Sequence, residues 1–249
     1  MSLRDKVVIV TGGSSGIGLA AAQAFVGEHA RVLITGRRAL KLDQITQAQP
    51  RIESVIADIA NPQDAQRTVD RALQLWGRID VLVNNAGAGA PVPLAQVSAQ
   101  HLQSIYMVNT MGPTLLAATA VPHLLASRGT IINISSSLGS RAVAGFADYC
   151  ASKAALEHLT RCWALELASA GVRVNAIASG PVESEFLRER MGFSFEEAEA
   201  IKAQERSQIP LGRRGIPEDV ARWIVALARS DADWVTGQVF HIDGGFTLA

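Results

Sequence analysis

Short, β-branched apolar runs alternate with longer stretches of helical periodicity along the whole chain. Runs at 7–10, 31–35, 54–57, 80–83, 130–134, 172–177 and 238–242 read as strands. Most are apolar on both faces, as strands covered on both sides of a parallel sheet must be. Helical stretches lie between them. One opens near Gly16, and another at Asn61-Pro62, an N-cap followed by proline at the first helical position. A long one from about Ser98 to Ala126 carries Pro113 and Pro122, which should kink or break it. Another follows Phe146, and one follows Ile216-Pro217 with Glu218 and Asp219 in its first turn. This alternation predicts an α/β fold built on a doubly wound parallel sheet. The stretch 183–214 departs from it, with charged helical character, Phe186, Phe193 and Phe195, and no strand. It reads as a lid inserted over a site.

A chain of 249 residues could form one large α/β domain or two small ones. Its 48% of hydrophobic residues suffices for a full core. The formal net charge is zero and the basic residues are scattered, which argues against a nucleic-acid or anionic-membrane surface. No apolar run is long enough to span a bilayer. The start, Met1-Ser2-Leu3-Arg4-Asp5-Lys6, moves straight into a strand and does not read as a signal peptide. Cys150 and Cys162 fall on one expected helix, too far apart along it for a disulfide, so a reduced, cytoplasmic protein is expected. The five histidines show no metal-ligand spacing with the cysteines, and no metal is expected.

Two local patterns carry chemistry. Tyr149 and Lys153 stand four apart in a helical stretch, which puts a phenol and an ammonium on one face. A free tyrosine titrates near 10, and bringing it to neutrality requires roughly 4 kcal/mol of preference for phenolate. One cation about 4 Å away, at an effective dielectric near 20, supplies roughly that. A surface tyrosine beside a solvated lysine would show the same spacing, so the rest of the chain must decide. The second pattern is Thr11-Gly12-Gly13-Ser14-Ser15-Gly16-Ile17-Gly18, between the first strand and first helix. Glycines there permit a tight turn and close approach of backbone to a pyrophosphate, and a helix N-terminus favours the anion. This context predicts a bound dinucleotide.

With that loop, Asn84-Asn85-Ala86-Gly87, Asn109, Ser136, Tyr149 and Lys153 in this order, the chain resembles the short-chain dehydrogenase/reductase family, in its compact single-domain branch. The likeness runs over essentially all of residues 1–249 and includes the segments 174–182 and 237–245. It implies a Rossmann-type sheet of seven parallel strands, order 3-2-1-4-5-6-7. It implies an oxidoreductase that interconverts a ketone or aldehyde and an alcohol by hydride transfer. In that reading Tyr149 is the acid/base. Lys153 lowers its pKa and holds the nicotinamide ribose, Ser136 hydrogen-bonds the reacting oxygen, and Asn109 orders a proton-relaying water. Of the three adjacent serines, Ser136 fits the family spacing, and strand alternation would turn Ser135 and Ser137 away.

The same likeness assigns cofactor contacts to Gly12, Ser14, Ser15, Gly16, Ile17, Gly18, Asp58, Ile59, Asn85, Ala86, Gly87, Gly180 and Val182, besides Tyr149 and Lys153. Ser184, where threonine is common, would touch the nicotinamide amide. Ser179 stands where the family usually has proline. For the choice of cofactor, Gly36 replaces the acid that grips the NAD ribose, and Arg37 and Arg38 follow. A guanidinium fork suits a phosphate, so NADP is expected, with NAD open. Ser15 stands where many NADP users have a second basic residue. Family resemblance also implies a homotetramer, through the helices containing 111–124 and 156–167 and the C-terminal segment.

The lid favours a fairly apolar or amphipathic substrate. A 3-oxoacyl carrier-protein reductase is a less favoured alternative. Its docking positions correspond to Ser127 and Ala170, neither basic, although Arg128 adjoins the first. Sugar, polyol and steroid-type substrates stay open. A catalytically idle nucleotide-binding regulator would not need the intact Asn109, Ser136, Tyr149 and Lys153 set. A nucleotide-sugar epimerase of the extended branch would need a larger C-terminal substrate domain.

Overall fold

Strand β1 (Val7–Val10) is buried at every position and divides its side chains between two cores. Val8 and Val10 join one apolar cluster, Val7 and Ile9 the other. This is the period-two alternation of a strand covered on both faces. The computed structural model describes residues 3–249; Met1 and Ser2 of the amino-terminal run lie outside the described residues.

Seven strands form one parallel sheet: β1, β2 (Arg31–Gly36), β3 (Ile52–Ile56), β4 (Val81–Asn84), β5 (Thr130–Ser136), β6 (Arg173–Ser179) and β7 (Val239–Ile242). Their order is β3-β2-β1-β4-β5-β6-β7, as expected. The helices are α1 (Gly16–Gly27), α2 (Ala39–Ala48), α3 (Pro62–Trp76), α4 (Ala99–Tyr106), α5 (Gly112–Ser127), α6 (Ala147–Leu167), α7 (Phe186–Glu189), α8 (Phe195–Gln208) and α9 (Pro217–Ala228). Helices α1 and α9 cover one face through Ala21, Phe25, Val220 and Ile224. Helices α3, α5 and α6 cover the other through Val69, Leu116, Leu124 and Leu167. Each such fully buried aliphatic or aromatic side chain contributes about 1.5–3 kcal/mol.

Where the structure differs from the sequence pattern, a local cause is visible. Strand β3 begins earlier than 54–57, because Ile52 pairs in register with Val32 of β2. Strands β5 and β6 run beyond the apolar residues, since Ser135 pairs with Ala178 and Ser136 with Ser179. Helix α2 starts directly after Arg38, and its apolar signal is faint because Leu42 is its buried residue. The long helical stretch breaks before its prolines, at a π-helical turn, Met107–Met111, between α4 and α5. Pro113 has no N–H to return to the carbonyl of residue 109, which removes an α-helical bond there. Pro122 sits inside α5.

The amino-terminal end of the sheet is locked by one carboxylate. Asp80 accepts from the Val7 N–H at 3.0 Å, from Lys6 at 3.0 Å and from Arg78 at 2.6 and 2.9 Å. The opposite, carboxyl ends are left for chemistry. The strand order reverses between β1 and β4, and a crevice opens outside their carboxyl ends, where ligands of doubly wound sheets bind.

Candidate active site

The crevice encloses about 450 Å³ and runs from the β2–β3 ends past the glycine loop to α7 and α8. The loop after β1 packs against the turn after β4. A Cβ on Gly12 would stand 3.0 Å from the Cα of Ala86, and one on Gly18 would stand 2.4 Å from the Nδ2 of Asn85. Asn85 ties the two together by donating to the Thr11 carbonyl at 2.8 Å, while the Thr11 hydroxyl accepts from the Asn85 and Ala86 N–H groups at 2.9 Å each. Helix α1 has neither a side-chain cap from Ser15 nor an acidic residue in its first turn. Its partly positive N-terminus is thus left for an external anion. These features fit the pyrophosphate of a dinucleotide.

At the end of β2, Arg37 lines the crevice and meets Asp58 across 3.6 Å. Arg38 turns over the glycine loop, with Nη2 at 3.5 Å from the Ser14 hydroxyl and 3.3 Å from that of Ser15. Its Nη1 meets Glu189 of α7 at 2.6 Å. Arg190 also lines this end of the crevice, and burial, together with Arg37 and Arg38, lowers its pKa.

The candidate chemistry sits where β5 meets α6. Tyr149, Lys153 and Glu157 follow one another at four-residue spacing on one buried face of α6. Lys153 Nζ donates to the Ile134 carbonyl at 2.8 Å and stands 5.9 Å from the centre of the Tyr149 ring. Ser135 donates to Glu157 at 2.7 Å, whereas Ser136 lies with Tyr149 on the crevice wall and acts to lower the pKa of its phenol. The Leu138 N–H donates to the Ser136 hydroxyl at 3.2 Å and fixes its orientation. Behind them Asn109, in the π-helical turn, is fully buried. Its Oδ1 accepts from the Ala88 N–H at 2.9 Å, and its Nδ2 donates to the Ala88 carbonyl at 2.8 Å and the Ser152 hydroxyl at 3.0 Å.

The electrostatics differ from the expectation that Lys153 lowers the tyrosine. Burial pushes the Tyr149 phenol up to about 12, with only partial relief from Ser136. Burial also pulls the Lys153 ammonium down to about 8, against the attraction of Glu157. Helical spacing placed the two groups on one face, but the ammonium is directed to a backbone carbonyl and burial dominates both groups. Burial likewise raises the neighbouring Cys150 thiol, as suits a packed residue rather than a nucleophile.

The far wall is apolar and comes partly from the 183–214 segment. A Cβ on Gly89 would stand 2.9 Å from the Met191 methyl and 3.1 Å from the Tyr149 ring, so Met191 lies beside the tyrosine. Phe186, Leu187 and Phe193 also line the crevice, as do Leu138, Val143 and Phe146. Deeper in, the buried Arg214 is held by Glu183 at 3.2 Å, by Glu205, and by the Val182 carbonyl at 2.6 Å.

The crevice wall contains most of the expected residues: Gly12, Ser15, Gly16, Ile17, Arg37, Asp58, Ile59, Asn85, Ala86, Gly87, Ser136, Tyr149, Lys153, Gly180, Val182 and Ser184. Ser14, Gly18 and Asn109 are buried and lie off that wall, and Arg38 is partly exposed beside it. The sequence reading did not single out Glu157, Glu189, Arg190 or Phe246. The i+8 position of Glu157 relative to Tyr149 was a usable signal; nothing local marked Glu189. Among the described residues no cluster of His, Cys, Asp or Glu could hold a metal ion, and no helix is long and apolar enough to cross a membrane.

Comparison with known proteins agrees with this geometry. A family model described as enoyl-(acyl carrier protein) reductase matches residues 12–247. The chain is 34% identical to the 3-oxoacyl-[acyl-carrier-protein] reductase FabG of Thermotoga maritima, covering 100% of both chains. It is also 34% identical to galactitol 2-dehydrogenase of Agrobacterium fabrum, covering 98% of each. Among solved structures, a short-chain dehydrogenase/reductase of unknown function from Caenorhabditis elegans, determined with cofactor, superposes with a TM-score of 0.93 at 34% identity, over 99% of this chain and 97% of that one.

Proposed function

The chain belongs to the short-chain dehydrogenase/reductase family and is an oxidoreductase acting between carbonyl and alcohol groups with a nicotinamide dinucleotide; on that premise, we propose that it is NADP(H)-dependent and uses Tyr149 as its acid/base. The observation that carries the reading is the placement of the Tyr149 phenol, the Ser136 hydroxyl and the Lys153 ammonium together on the wall of the glycine-loop crevice.

Bound dinucleotide supplies a hydride to a carbonyl carbon, or takes one from an alcohol carbon. The residues manage the oxygen. As negative charge grows on a carbonyl oxygen, the hydroxyls of Ser136 and Tyr149 stabilise it. Tyr149 then delivers its proton. A phenol held near 12 is fully protonated at neutral pH, so the protein favours Tyr149 as a proton donor. Lys153 places a positive charge behind it that favours phenolate after the proton leaves. Asn109 acts through the backbone at Ala88, which it grips from both N–H and C=O, and so holds the crevice floor in place. The 183–214 segment serves as the substrate lid of this single domain, and Met191, Phe186 and Phe193 give it an apolar inner surface. That surface favours an apolar or amphipathic carbonyl compound.

NADP over NAD is supported by the absence of a carboxylate at Gly36 and by Arg37 and Arg38 at the end of β2. Assembly as a homotetramer is supported by Met111 of the π-helical turn, Leu115 of α5, Leu165 of α6 and Trp234 near the C-terminal strand, all exposed on the single chain. Free Cys150 and Cys162 suit the cytoplasm. The test is a panel of ketones, aldehydes and secondary alcohols assayed by nicotinamide absorbance with both cofactors. Turnover of at least one carbonyl compound, with higher kcat/KM for NADPH, is expected. Tight cofactor binding with no turnover on any class would instead support a nucleotide-binding regulator.

A further inference from the structure

Helix α7 lays an anion on the cations that end β2. Glu189 Oε2 accepts from Arg38 at 2.6 Å, and its Oε1 meets Lys41 at 3.2 Å. The same Arg38 reaches the Ser14 and Ser15 hydroxyls, so one guanidinium joins the 183–214 segment to the glycine loop. Arg37 and Arg190 line the crevice beside it. Four cations thus gather here, Arg37 and Arg190 on the crevice wall and Arg38 and Lys41 beside it on Glu189, with two carboxylates, Glu189 and Asp58. Two positive charges are left in excess, which suits a phosphate monoester carrying about −1.5 to −2 charges at neutral pH. The side chains of Arg38, Lys41 and Glu189 are about one-third to two-fifths exposed, with relative accessibilities of 32%, 44% and 30%. Ion pairs so open to water are weak, and a dianion can replace one partner.

Resting on the NADP reading of the site, we propose that Glu189 is an internal competitor for the 2′-phosphate: its carboxylate holds Arg38 and Lys41 until the phosphate takes its place and frees α7. The 2′-hydroxyl of NAD carries no charge and leaves the pairs intact. Glu189 is therefore a cofactor-specificity residue, and it couples cofactor identity to the mobility of the substrate-side segment.

Titration calorimetry with two fragments lacking nicotinamide, 2′,5′-ADP and 5′-AMP, which differ only by the 2′-phosphate, tests this directly. Glu189→Gln should tighten 2′,5′-ADP about five- to tenfold while changing 5′-AMP less than twofold. Equal gains on both fragments, no change, or a loss for 2′,5′-ADP would overturn the competitor role. In the parent protein, amide exchange over α7 should be faster with 2′,5′-ADP bound than with 5′-AMP; equal rates overturn the release of the helix. Arg38→Leu separates the two levels of the argument. Should it abolish a parental preference for 2′,5′-ADP while Glu189→Gln has no effect, the NADP reading stands and the competitor falls. Equal binding of both fragments by the parent, untouched by Arg38→Leu, overturns both.

Discussion

Lys153 directs its ammonium at the Ile134 carbonyl, 2.8 Å away, and not at the phenol of Tyr149, whose ring centre is 5.9 Å distant. The two groups share one buried face of α6, and burial works on them in opposite directions: the phenol rises to about 12 and the ammonium falls to about 8. Both shifts favour uncharged groups. The arrangement thus maintains a cation at a cost to stability.

That cost depends on pH with a definite sign. Between about 8 and the usual 10.5, an unfolded chain holds a proton on Lys153 that the folded one has released, so folding gains stability as pH rises through this window. Below it the cost is present in full. Lys153→Met should therefore melt no lower than the parent at pH 7, and the parent should gain on the variant as pH climbs towards 9.5. Turnover and cofactor affinity should both drop. A melting difference that stays constant with pH would show that the ammonium is not penalised by burial.

Asn109→Ala leaves the Ala88 N–H and C=O, and the Ser152 hydroxyl, without the amide that joins them. An unsatisfied buried polar group costs about 1–3 kcal/mol. Urea unfolding should show a loss of that size, and the KM for cofactor should rise as the 86–88 turn loosens. Unaltered unfolding would mean that the turn is held by other contacts.

Cofactor choice can be shifted at the end of β2. A Cβ on Gly36 would stand 3.3 Å from the Ser14 hydroxyl and 3.6 Å from a Leu42 methyl, so an aspartate there needs only a small adjustment. Gly36→Asp with Arg37→Leu removes a charge-assisted bond to phosphate and adds a repelling carboxylate. The ratio of kcat/KM for NADPH over NADH should fall roughly 10- to 100-fold. An unmoved ratio would locate specificity elsewhere.

Asp80 governs stability at the other end of the sheet. Burial acts to raise its pKa, but hydrogen bonds from Arg78, the Val7 N–H and Lys6 prevail and hold it below the ordinary 3.8. A lowered carboxylate stabilises the fold above its unfolded value, and that contribution is lost as pH drops through the folded one. Asp80→Asn should cost about 1–3 kcal/mol at pH 7. The deficit, followed by urea unfolding at several pH values, should narrow below about pH 4. A gap independent of pH would mean that charge plays no part.

Much of this was legible in the sequence because it is local. Val7–Val10 and its companions are apolar on both faces, which marks a buried parallel strand wherever it lies. The glycine loop and the Tyr149-Lys153 spacing report backbone geometry over a few residues. What stayed hidden depends on distant packing. Glu189 and Arg38 are 151 positions apart, and no pattern near either announces their ion pair. Pro113 and Pro122 signal a break in the 98–126 stretch, but not that it takes the form of a π-helical turn at Met107–Met111, ahead of both. The direction of the Tyr149 shift follows from burial, which the four-residue spacing does not contain.

The central claim is that Tyr149 moves the proton. Tyr149→Phe deletes one hydroxyl from a buried ring, so the fold and the cofactor Kd should survive. With saturating cofactor and the best carbonyl substrate of the panel, the rate of nicotinamide oxidation should fall about 10²–10⁴-fold. A variant that binds cofactor normally and turns over at close to the parental rate would contradict the account.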